Sequence, residues 1–249
     1  MEISRIRALR GPNIWSRHLA IEAVVICTPA ECDINELPGF ETRLRALFPG
    51  VGPLHSPQKE PVSLAHVLEQ ATLALQAQAG CPVTFSHTHR TPTPGHFQVV
   101  VEYSEEDVGR LACDEAIKLM QAALEGREDW DDEAVIRTLR EIDEDVRLGP
   151  STGSIVNAAV ARGVPFRRLT QGSLVQFGWG HKQRRIWAAE VDATSAVSES
   201  IAQDKDLSKR LLQSAGVPVP HGRPVDSVMD GWQAAQEIGL PVVVKPQDG

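Results

Sequence analysis

An α+β N-terminal domain followed by the first part of an α/β domain is the fold that the sequence predicts. Residues 3–124 read as two strands, two helices, a hairpin and a long helix. After about residue 148 the pattern changes to helices and strands in alternation. The last residues, Pro241 to Gly249, read as an apolar strand entering a turn, where a domain rarely stops, so the second domain is expected to be truncated. The expected division is 1–148 and 149–249.

The elements follow from local chemistry. Residues 3–9 alternate charged and apolar side chains, which suits a strand, and Arg10-Gly11-Pro12-Asn13 breaks it. Residues 19–27 are a more apolar strand. Apolar spacing predicts a helix over 36–48, stopped by Pro49-Gly50, and a stronger one over 62–79, stopped by Gly80 and Pro82. Strands over 83–88 and 96–103 bracket a Pro-rich turn, and residues 105–124 form an amphipathic helix with acidic residues at its start. The charge-dense stretch 125–145 is a solvated helix face or a linker. Small and hydroxyl residues then open a helix over 155–162, followed by a short strand at 164–169. Asp204 is placed to cap a helix over 205–215, which Gly216 ends. A helix over 232–238 leads through Gly239 into the strand 241–244.

Composition narrows the partners. The chain has 249 residues, 42% hydrophobic and 23% charged, as in a soluble globular protein. With 33 acidic against 25 basic residues the formal charge is -8, and no basic run concentrates positive potential. That argues against nucleic acid and against an anionic membrane surface. No stretch reaches the length of a membrane span, and residues 1–10 lack the apolar core of a signal peptide, so a cytoplasmic location is expected. Cys27, Cys32, Cys81 and Cys113 lack paired spacing and read as reduced core thiols.

Few residues stand out chemically. Lys245 follows an apolar run and precedes a proline, an unusual place for a solvent-facing charge. Ser151, Thr152 and Ser154 sit at a helix start, where they either cap the helix or hold a substrate carboxylate with nearby amides. His87 and His89 share one strand face and His96 lies close by, but without a carboxylate or cysteine at matching spacing they read as ordinary polar positions.

Two resemblances add to this. Residues 204–249, with Asp204-Lys205, Lys209-Arg210-Leu211-Leu212, Ala215-Gly216-Val217-Pro218-Val219-Pro220 and Gly239-Leu240-Pro241-Val242-Val243-Val244-Lys245-Pro246, resemble the opening of an ATP-grasp domain. The resemblance implies that Lys205 and Lys245 contact ATP, with a glycine-rich phosphate loop to follow. The exposed, solvated charge is the alternative for each lysine. More narrowly, Leu9 to Ser16, Leu148 to Thr152, Gly172 to Gly180 with Gln183 to Ile186, and Ile201 to Lys205 are similar, in order, to motifs of the cyanophycin synthetases.

That family implies an ATP- and Mg²⁺-dependent ligase, homo-oligomeric at full length, that joins aspartate and arginine onto a cyanophycin primer through acyl phosphates. It implies no catalytic residue within these 249 positions and magnesium ligands beyond them. Rival readings are another carboxylate–amine ligase, such as a β-aspartyl-arginine dipeptide polymerase, and a non-catalytic polymer-binding protein. In many members the helix at 64–76 resembles a metallohydrolase motif, with two histidines and a glutamate holding zinc. Here His66-Val67-Leu68-Glu69-Gln70 puts an amide where the second histidine would be, and Ala74 replaces the later glutamate. His66 and Glu69 are thus a remnant, and no metal is expected.

Overall fold

The computed structural model describes residues 1–56 and 60–247. It divides into two compact units, Met1–Ala189 and Glu190–Gly249.

In the first unit, strands β1 (Glu2–Leu9) and β2 (Ala20–Ile26) pair antiparallel. Helices α1 (Phe40–Leu47) and α2 (Leu64–Ala79) follow, then the hairpin β3 (Ser86–Arg90) and β4 (His96–Glu102). The sheet order is β1-β2-β4-β3, with Val24 opposite Gln98 and Thr88 opposite Val99. Helices α3 (Glu106–Glu125) and α4 (Asp132–Val146) complete the layer. One face of the sheet presents Ile21, Ala23, Val25, Phe97, Val99 and Val101 to the core, the period-two signature of a half-buried sheet. Helix α2 is apolar on most sides, with Leu64, Ala65, Val67, Leu68, Ala71 and Leu75 all fully buried, because it lies in the middle of the helix layer. Gly109 admits close approach of α3: a Cβ there would lie 2.6 Å from the Tyr103 Cβ.

A second, smaller core begins after Val146. It comprises Val156, Val175 and Ile186, with Leu148, Phe166 and Phe177 against them. Helix α5 (Pro150–Ala161) covers the antiparallel strands β5 (Phe166–Arg168), β6 (Leu174–Phe177) and β7 (Arg184–Trp187). Arg168 fastens this part to the first core by donating to the Glu105 carboxylate at 2.9 Å and to the Val146 carbonyl at 2.5 Å. Two hydrophobic cores therefore meet at 146–148, while compactness alone divides the chain later, at 189/190.

The second unit holds the short strand β8 (Glu190–Val191) and helices α6 (Ala196–Gln203), α7 (Lys205–Ser214) and α8 (Val228–Ile238). Asp204 caps α7, its carboxylate accepting from the Asp206 and Leu207 amides at 3.0 and 2.9 Å. Of its described apolar residues only Ala234 and Ala235 are buried.

Several expectations need correction. The helix expected over 36–48 begins at Phe40, because Pro38 and Gly39, at φ 69°, interrupt it; residues 34–36 form a 3₁₀ turn. The first hairpin strand starts at Ser86 rather than Val83, since the Thr84 and Phe85 amides are taken by the Glu102 carboxylate. The acidic stretch resolves into α4, capped by Asp131. Helix α5 starts at Pro150, whose fixed φ suits the first helical position, so Ser151 and Thr152 lie inside its first turn, Ser154 just past it, and the cap is Gly149. The strand expected over 241–244 does not form: no described residue pairs with it, and Val243 and Val244 are about four-fifths exposed. The turn expected at Asp248 and Gly249 lies outside the described residues.

Candidate functional site

Helix α2 carries the first cluster. Ser63 is its N-cap and His66 its third residue, so the imidazole reaches back over the first turn. His66 Nδ1 accepts the Ser63 amide at 3.2 Å and lies 2.9 Å from the Ser63 hydroxyl. The ring is 2% exposed and meets Phe97 edge-on, and burial pushes its pKa down to about 4, so it is neutral at physiological pH. One turn on, Glu69 accepts from the Ser86 hydroxyl at 2.8 Å, tying α2 to β3. Gln70 makes two bonds to residue 55: its Oε1 accepts the His55 amide at 3.1 Å and its Nε2 donates to the His55 carbonyl at 2.7 Å. Beside this helix a cavity of about 400 Å³ is lined by Glu60, His66, Thr88, His89, Arg90, Thr91 and Pro92. Arg90 and Glu60, both in its lining, approach to 3.5 Å.

The sequence points to His66, Glu69 and Gln70 but not to Thr88, which lines this cavity and whose buried hydroxyl has no hydrogen-bond partner among the described residues. Its only signal was its place between His87 and His89 in the strand. His87 and His89 stack on each other at 6.4 Å, and His89 lies 5.8 Å from Trp15, so these rings form surface contacts. No group of three or more His, Cys, Asp or Glu side chains that could hold a metal ion occurs among the described residues.

The other candidates lie elsewhere. Thr152, 2% exposed, donates its hydroxyl to the Ala188 carbonyl at 3.2 Å, and the Ser154 hydroxyl donates to the Pro150 carbonyl at 2.8 Å; Ser151 is exposed. In the second unit Lys205 opens α7. Its amide donates to the Gln247 carbonyl at 3.1 Å, with the ammonium 3.5 Å from the same oxygen. This brings the start of α7 against the segment that carries Lys245, two residues before Gln247. Lys245 itself is exposed, against the expectation from its apolar run, because that run has no ladder partner among the described residues.

The family pattern described as "Cyanophycin synthase-like N-terminal domain" matches residues 23–125. Over all of its length the chain is 38% identical to the cyanophycin synthetase of Trichormus variabilis. The chain belongs to the cyanophycin synthetase family. It spans 29% of the length of that relative. Shorter stretches are 42% identical to the D-alanine–D-alanine ligase of Verminephrobacter eiseniae and 37% identical to the carbamoyl phosphate synthase large chain of Methanothrix thermoacetophila. The first covers 21% of this chain and 16% of the ligase, the second 24% and 6%. The matched cyanophycin synthase-like domain runs from within β2 to the end of α3, so it holds the whole of α2 and the cavity wall at Thr88 to Thr91.

Proposed function

We propose that this chain is the N-terminal part of an ATP-dependent acid–amino-acid ligase that polymerises aspartate and arginine into cyanophycin, with an ATP-grasp-type domain beginning after residue 148. The observation that carries the reading is the 38% identity along the whole chain to a protein named for that product. A carboxylate is a poor electrophile until one oxygen becomes a phosphate leaving group; the amine of the incoming amino acid then displaces phosphate and forms the amide. Positive side chains and backbone amides ease the phosphoryl transfer by meeting the charge that develops on its oxygens. Lys205 and Lys245 suit that role, since one opens α7 and the other lies two residues from the Gln247 carbonyl that α7 holds.

The exposed apolar residues of the second unit support the same reading. Leu240, Val243 and Val244 are about two-thirds or more exposed, apolar surface that the rest of a larger domain would cover, and relatives of more than three times this length have chain to supply it. The magnesium and the substrates belong to that larger assembly in this reading; of the three hydroxyls near its start the exposed Ser151 is the candidate substrate contact, those of Thr152 and Ser154 being donated to backbone carbonyls.

The test is phosphate release from ATP with aspartate, arginine and a cyanophycin primer. A full-length protein that begins with this sequence is expected to release phosphate and extend the primer, while the 249-residue chain alone releases none above background. A full-length protein that binds the primer but forms no amide bond would overturn the proposal in favour of a polymer-binding protein.

A further inference from the structure

In many members of the family that the chain resembles this helix would hold zinc, and the residues present here do not fit it. A histidine that ligates zinc gives one nitrogen's lone pair to the metal and donates the other N–H to an acceptor. His66 is committed otherwise. A backbone amide is always a donor, so the Ser63 N–H at 3.2 Å requires the Nδ1 lone pair, and the neutral ring carries its proton on Nε2. For Nε2 to take a metal, that proton would have to move to Nδ1, where it would face the Ser63 N–H head-on. Ser63 is fully buried, so its amide would then be left without an acceptor.

Gln70 is committed as well. Its amide donates and accepts at once to the two backbone groups of residue 55, as a peptide in a ladder does. An imidazole has no such parallel pair of atoms and satisfies at most one of them. Ala74, one turn beyond, offers a methyl where a carboxylate would stand.

We infer that this helix face is a backbone clamp and not a metal site, in which His66 closes the N-terminus of α2 as the Nε2–H tautomer and Gln70 holds residue 55. Restoring the missing ligand types therefore does not restore the site. The inference concerns α2 alone and is independent of the ligase reading, whose assay does not involve this helix.

The decisive measurement is nitrogen NMR of the histidine rings in the 249-residue chain. His66 is expected to show an unprotonated Nδ1 and a protonated Nε2, unchanged by one equivalent of zinc. The Gln70→His/Ala74→Glu variant is expected to retain less than about a tenth of a zinc per chain after desalting. Gln70→Ala should speed amide exchange at His55 by about tenfold while leaving the His66 tautomer alone. A proton on Nδ1 in the native chain would overturn the inference, as would stoichiometric zinc with polymer cleavage in the double variant. Should the double variant fail to fold, the tautomer of the native chain and the exchange at His55 still decide the matter.

Discussion

If Lys245 meets nucleotide phosphates in the full-length protein, Lys245→Ala should slow aspartate addition by about 30-fold to 1000-fold, because a charge-assisted contact to the transferring group is lost. Arginine addition to a primer ending in unmodified aspartate is expected to continue, as a step served by a nucleotide site elsewhere in the full-length protein. Equal loss of both half-reactions would point to misfolding, and unchanged aspartate addition would remove Lys245 from the site. His66 gives a second test at the scale of one residue. Its folded pKa, about 4, lies below the ordinary value near 6.5, chiefly through burial, with Glu60, Arg90, His55 and His87 around it. The folded chain therefore binds fewer protons than the unfolded chain between these values, and stability must fall as pH drops from 6.5 towards 4. At most one proton is involved, about 1.4 kcal/mol per pH unit. Denaturant midpoints from pH 7 to 4 should show a shallower slope in His66→Gln than in the native chain.

Elements of this fold differ in how much burial holds them. Helix α4 has a strongly acidic sequence, yet Leu139 is fully buried and Val135, Ile136, Ile142 and Val146 pack half-buried against the first core. Leu139→Ala should cost about 2–5 kcal/mol in chemical denaturation, the range for a fully buried leucine, whereas Glu141→Ala should stay within about 0.5 kcal/mol. A small effect at Leu139 would mean that α4 is dispensable for the core. The contrast with residues 241–244 shows why one weak sequence signal became an element and the other did not. A helix closes its own hydrogen bonds and needs only one anchoring stripe. A strand needs a neighbour's backbone, and the described residues offer these four none.

At the scale of the molecule, the two units should not resist unfolding equally. The first buries a large core, while the second buries only Ala234 and Ala235 among its described apolar residues. Limited proteolysis is expected to cut within 190–249 first and leave a protected species close to Met1–Ala189. Early cleavage between α3 and α5 with survival of the second unit would contradict this. Much of the fold could be read from sequence by itself. The alternation of β1, the apolar runs of β2 and α2 and the cap at Asp204 are local signals, and each is fixed by side chains a few positions apart. The family resemblance could be read in the same way, from short motifs in order. What needed the tertiary structure was every property that depends on a distant partner. The sequence placed His66 and Gln70 four residues apart on one helix face, but Ser63, His55, Phe97 and Thr88 decided what that face does. Glu102 shifted the start of β3, and the lack of a pairing strand among the described residues left Lys245 exposed. Spacing along a chain sets which side chains point the same way; only packing sets which hydrogen bonds are already taken, and an atom whose lone pair is in use has no chemistry left to offer.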